Sequence, residues 1–178
     1  LAHTGIGDAT GLGHGFMHPI GGIDHVLAMV AVGVFAALLG GRAFWLVPAS
    51  FIGMMAVGGA LGMAGVALPF VEVGIGFSVV MLGVAVALRL NMRMAAAMAL
   101  VGFFAIFHGH AHGAEMPDTS SGFGYGLGFV LATALLHVGG IGFGLAIGQM
   151  GELHGRRIAQ LAGGGIALAG VAILAHTI

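Results

Sequence analysis

Charge is almost absent from this sequence. Five arginines and six carboxylates serve 178 residues, and lysine does not occur. Charged residues make up 6% of the chain, against about 25% in an ordinary soluble domain. So few ionised groups cannot keep a chain that is 59% hydrophobic in solution. A mean hydropathy of +1.11 says the same. The composition excludes a disordered chain, which needs low apolar content. What remains is a lipid-embedded protein. A net charge of -1 without lysine also excludes nucleic acid as a partner. The absence of cysteine removes disulfides, thiolate metal sites and cysteine nucleophiles.

A membrane span takes about 20 apolar residues, and breaks in the apolar runs predict six helices. They fall near 12–39, 43–64, 71–90, 94–114, 123–149 and 158–176. Pro19 is a kink candidate in the first. No linker or composition shift divides the chain, so residues 1–178 read as one all-α integral membrane domain, a bundle of about six transmembrane helices. Orientation follows from the arginines. Arg42, Arg89, Arg93, Arg156 and Arg157 all fall in the first, third and fifth connections. Those connections are therefore expected in the cytoplasm, with both termini and the Pro69 and Pro117 loops outside. The 36 glycines are an excess, and in lipid small residues let backbones approach. Gly58 with Gly62, Gly122 with Gly126, and Gly140 with Gly144 have the four-residue spacing for that.

Ionisable groups are costly in lipid and normally face one another or a cavity, so their clustering is informative. His14, His18, His25 and Met29 follow at steps of 4, 7 and 4, one stripe if the first helix is continuous, with Asp24 beside His25. His108, His112 and Glu115 share a second face at i, i+4, i+7, from which His110 points away. His137 lies deeper in the fifth helix, and Glu72 opens the third. Imidazole and carboxylate at these spacings suit a divalent first-row metal, with Ni, Co, Cu and Zn left open. Were the mature chain to start at Leu1, its amine, two amides and His3 would also form a square-planar capture site. Met29, one of 11 methionines, reads as core.

Two segments carry a family resemblance. His18-Pro19-Ile20-Gly21-Gly22-Ile23-Asp24-His25, continuing to Met29 and Val32-Gly33, is the first. The second is Phe107-His108-Gly109-His110-Ala111-His112-Gly113-Ala114-Glu115. Together they resemble the signatures HPxxGxDHxxxMxxVG and HGxAHGxE of the HupE/UreJ family, small nickel or cobalt permeases associated with hydrogenase and urease gene sets. The resemblance implies His18, Asp24, His25, His108, His112 and Glu115 as metal-path residues, with His137 as a further member. His3, His14, His110 and Glu72 are weaker candidates from the residues themselves. It also implies a cleaved signal peptide and a bacterial inner membrane.

The expected activity is secondary transport of Ni²⁺ or Co²⁺ from the periplasmic face, with the metal as cargo and no catalytic cofactor. Without lysine there is no Walker-type phosphate loop. Hand-off to hydrogenase or urease maturation proteins is the expected downstream partnership. Two other classes use membrane histidines. A metalloenzyme needs an open metal position and a base, and a haem electron-transfer protein needs deep histidines on facing helices.

Overall fold

The computed structural model describes residues 6–116 and 122–177, with side chains from Gly11 onward. The expectations for His3 and the Pro117 loop lie outside the described residues. Seven helices follow one another among the described residues: α1 (Ile6–Gly21), α2 (Ile23–Leu39), α3 (Ala43–Met63), α4 (Val71–Ala87), α5 (Met94–Ala114), α6 (Gly122–Gln149) and α7 (Gly151–Thr177). Four of them, α3, α5, α6 and α7, are long and apolar enough to cross a membrane, and the bent pair α1–α2 makes a fifth if it counts as one span. α4 is apolar but has only 17 residues. This is a multi-pass membrane protein.

Two boundaries differ from expectation. The first predicted helix, 12–39, is two helices meeting at 83°. Pro19 stays inside α1, and the chain turns three residues later at Gly22, whose φ of -95° and ψ of 116° are extended. Pro19 leaves the Gly15 carbonyl without its helical donor, and the Gly21-Gly22 pair has little helical preference to carry the chain on. The single stripe from His14 to Met29 therefore does not exist. His14 and His18 ride on α1, His25 and Met29 on α2.

The second difference is at α7, which starts at Gly151 rather than near 158. Gly151 supplies the turn, with φ of +76°, a region open to glycine. The stretch expected as a connection, including Arg156 and Arg157, is the first two turns of the helix.

α2 is the centre of the bundle. Ala28, Met29, Ala31, Val32, Phe35 and Ala36 are fully buried there, against Val47, Phe51, Leu82 and Val101 from three neighbours. The most extensive helix pairs are α3–α5, α4–α7, α1–α6 and α2–α6, and glycine makes each of them possible. Gly58 and Gly62 lie against the carbonyls of Ile106 and His110, while Gly109 and Gly113 lie against those of Met55 and Gly59. Gly33 faces the His137 carbonyl and Gly140 that of Val30. Gly15 and Gly128 serve α1–α6, and Gly83 and Gly163 serve α4–α7, in the same reciprocal way. Of the three spaced pairs seen in the sequence, Gly58/Gly62 and Gly140/Gly144 are packing sites. Gly122/Gly126 is not: a methyl on Gly126 would meet nothing within 4 Å.

Candidate metal site

The bundle has two chemically different ends. Arg42, Arg89, Arg93, Arg156 and Arg157 stand where α2, α4 and α6 finish and α3, α5 and α7 begin. At the opposite end the last turn of α1, the first turns of α2 and α4, and the last turns of α5 bring the imidazoles and carboxylates together. A cavity of about 660 Å³ opens there, lined by His14, His18, Asp24, Glu72, His108, His112 and Glu115, with Tyr125 from α6.

At the cavity's mouth His18 Nε2 lies 3.2 Å from Glu115 Oε2. The His112 ring stands edge-on to His18, centroids 4.8 Å apart. Ligand atoms of His18, His112 and Glu115 all fall within 4.8 Å of one another, a spread that one ion could draw together. Glu115 supplies charge, His18 and His112 supply neutral nitrogen, and the set suits a divalent metal of intermediate softness.

Beneath the mouth the chain of rings continues inward. His112 Nε2 is 3.0 Å from His25 Nδ1, and His25 Nδ1 is 3.3 Å from His108 Nδ1. His112 thus belongs both to the mouth cluster and to the buried one. Phe129 packs against His25 and His112 at 5.2 and 4.6 Å between centroids, and Phe51 covers His108 at 5.8 Å. Asp24 sits on the first turn of α2, where an anion is favoured. One of its oxygens accepts the His25 backbone N–H at 2.7 Å, fixing the carboxylate at the N-terminus of α2.

Several polar atoms in this region are buried without a partner: His25 Nε2, His112 Nδ1, Tyr125 Oη and both ring nitrogens of His137. Buried polar groups are normally hydrogen-bonded, so such a cluster marks a place where a ligand or water supplies the missing contact. His137 is the deepest, held edge-on to Phe51 at 5.3 Å.

The residues singled out in the sequence thus separate. His18, His112 and Glu115 meet at the mouth, with His25 and His108 behind them. Asp24, His14 and Glu72 line the cavity, and His137 is set apart in the core. His110 faces the other way, its Nε2–H donating to the Val66 carbonyl at 2.7 Å and tying the connection after α3 to α5. Sequence reasoning missed Ser78, Phe51, Tyr125 and Phe129. Only Ser78 left a visible signal, as a lone hydroxyl in the stretch of α4 that is apolar after Glu72.

Comparison with known proteins places the chain in a family. A family model described as HupE / UreJ protein matches residues 1–173. Protein HupE of Rhizobium leguminosarum bv. viciae is 48% identical over 176 residues, covering 98% of this chain and 90% of that protein. No solved structure matches. A match along nearly the whole chain, carrying both histidine motifs, makes this protein a member of the HupE/UreJ family.

Proposed function

We propose that the chain is a secondary transporter that takes up Ni²⁺ or Co²⁺ across the bacterial inner membrane. The observation that carries this reading is the His18–His112–Glu115 group at the open end of a file of imidazoles descending into the bundle. Glu115 and Asp24 offset the ion's charge, and His18 and His112 replace part of its water. His112 passes it to His25 and His108, since its nitrogens border both clusters. Each station offers few ligands, so the ion is never enclosed and can leave. Beyond His25 the way is closed by Met29, Val32 and Phe35, all fully buried, and release requires that core to part.

The membrane potential is a sufficient source of energy. An inward divalent cation gains about 4.6 kcal/mol per 100 mV, enough for more than about a thousandfold accumulation. Hand-off to hydrogenase or urease maturation proteins would follow at the arginine end. A haem reading is poorly supported, because the His25, His108 and His112 rings already touch, with centroids 4.6 to 5.1 Å apart, leaving no gap for a macrocycle.

Proteoliposomes with an inside-negative potential should accumulate radiolabelled Ni²⁺ or Co²⁺, and collapse of the potential should reduce the plateau. A protein that binds the ions but never moves them into the lumen would defeat the transport reading.

The six-span arrangement counts α1–α2 as one span and includes α4, and puts both termini and the cavity outside. It makes a separate prediction at the two ends of α7. His154→Cys and Thr177→Cys, both at exposed positions, should react with impermeant thiol reagents from the cytoplasmic and periplasmic faces respectively. The chain has no cysteine to obscure the result. Labelling of both from one face would eliminate the arrangement. Gly155 is unsuited as a probe, because a Cβ there would press on the Ile147 carbonyl.

A further inference from the structure

Ser78 lies at the middle of α4, fully buried, and no carboxylate or imidazole of its own helix is near it in sequence. Its hydroxyl has two neighbours, the Ile75 carbonyl at 2.6 Å and His108 Nε2 at 2.7 Å. A serine has one proton to give. The carbonyl can only accept, so the Ser78 O–H donates to Ile75. The remaining contact then has one consistent direction: His108 Nε2–H donates to Ser78 Oγ. A neutral imidazole carries a single N–H, so His108 Nδ1 is left with its lone pair. That nitrogen is the one 3.3 Å from His25 Nδ1.

We propose that Ser78 is a positioning residue that locks His108 in its Nε2–H tautomer and aims the Nδ1 lone pair at His25, where an arriving metal ion needs it. This rests on the uptake reading above. Fixing a ligand's tautomer through its second nitrogen is how metal-binding histidines are ordinarily oriented. Here the anchor is itself anchored, since the i−3 carbonyl of Ile75 fixes the direction of the hydroxyl. The lock also explains why His108 is absent from the buried atoms that lack a partner while His25, His112 and His137 are among them. His108 has both nitrogens engaged, whereas His25 and His112 each keep one nitrogen in reserve and His137 keeps both.

Removing the hydroxyl in Ser78→Ala leaves His108 Nε2–H facing apolar surroundings. The proton then gains by moving to Nδ1, where it meets His25 and occupies the electron pair that the metal needs. Ser78→Thr keeps the oxygen and its bond to the i−3 carbonyl. The experiment has two arms. In metal-free protein with ¹⁵N-labelled histidine rings, assigned by loss of the signal in His108→Gln, wild type and Ser78→Thr should show His108 protonated at Nε2. Ser78→Ala should show the Nδ1–H form or a mixture. In Ni²⁺ uptake, Ser78→Ala should lower the maximal rate about tenfold or more. Half-saturation should change less than about twofold, because capture at His18, His112 and Glu115 is untouched, and Ser78→Thr should recover most of the rate. A general packing defect would not switch the tautomer and would not be repaired by the hydroxyl alone. His108 protonated at Nδ1 in wild type, or unchanged in Ser78→Ala, overturns the proposal. So does a Ser78→Ala rate equal to wild type. Should wild-type vesicles take up no metal, the transport reading fails on its own, and the ring signals still decide whether Ser78 sets the tautomer.

Discussion

His25→Ala is expected to reduce metal uptake to background, a loss of at least about 100-fold, in a protein that still assembles in the membrane. Losing only the partner of a metal ligand costs about 10- to 100-fold. His25 is the junction itself, with one nitrogen shared between His108 and His112. Without it the nitrogen that joins His112 to His108 is missing, and the file is broken directly behind the mouth. The fold should tolerate the change better than burial alone implies. His25 Nε2 is a buried polar atom without a partner, so its removal deletes an unsatisfied group along with the packing. His25→Leu, which refills the space, should be equally inactive and more stable. Normal-rate uptake by either well-expressed variant would take α2 out of the ion's route.

The second large effect concerns architecture. Gly109→Leu should break the α3–α5 contact, because any Cβ at that position lands on the Met55 carbonyl, a backbone atom that cannot rotate away. Overpacking a fitted core costs roughly 1–3 kcal/mol and at times more. With backbone against backbone, more than about 3 kcal/mol is expected. By the scaling for domains of this size that is a fall of roughly 10 °C in Tm. Gly139→Ala and Gly142→Ala are the matched controls: both positions are exposed on α6, with nothing within 4 Å of an added methyl. They should stay within about 1 kcal/mol of wild type. Thermal unfolding in detergent compares all three. Equal stability of Gly109→Leu and the α6 variants would show that close backbone approach does not hold the bundle together.

Much of this was legible before the structure. α5 ends where the apolar run does, at 94–114, and both histidine motifs lie at the same end of the bundle. The misread boundaries have physical causes. Hydropathy reports where lipid stops, not where the helical hydrogen bonds stop, so Glu152, Arg156 and Arg157 hid seven residues of α7. At Gly22 the immediate neighbours Gly21 and Ile23 are apolar, and periodicity cannot distinguish a bend from a straight run. The i, i+4, i+7 rule gathered His108, His112 and Glu115 because α5 is regular there. It could not show His112 bordering two clusters, since that depends on α1 and α2 meeting at 83°. Ser78 stood out as a hydroxyl but could not be given a role for another reason: a lone serine among apolar residues looks like a small packing residue until its neighbour across the interface is known.

The glycine-seated interfaces have a mechanical consequence. Where carbonyls rest directly on neighbouring glycines there is no compliant side chain between the helices, so such pairs resist sliding and travel as blocks. The closest contacts divide the molecule into three blocks: α1, α2 and α6; α3 and α5; α4 and α7. His18, Asp24, His25 and His137 ride on the first, His108, His112 and Glu115 on the second, Ser78 and Glu72 on the third. Every contact described between these side chains crosses a seam: His18 to Glu115, His25 to His108 and His112, Ser78 to His108. Any displacement of one block against another therefore pulls ligands apart while leaving the glycine-seated interfaces within each block intact. On the transport reading proposed above, loosening the grip on the ion and opening its passage are then a single movement.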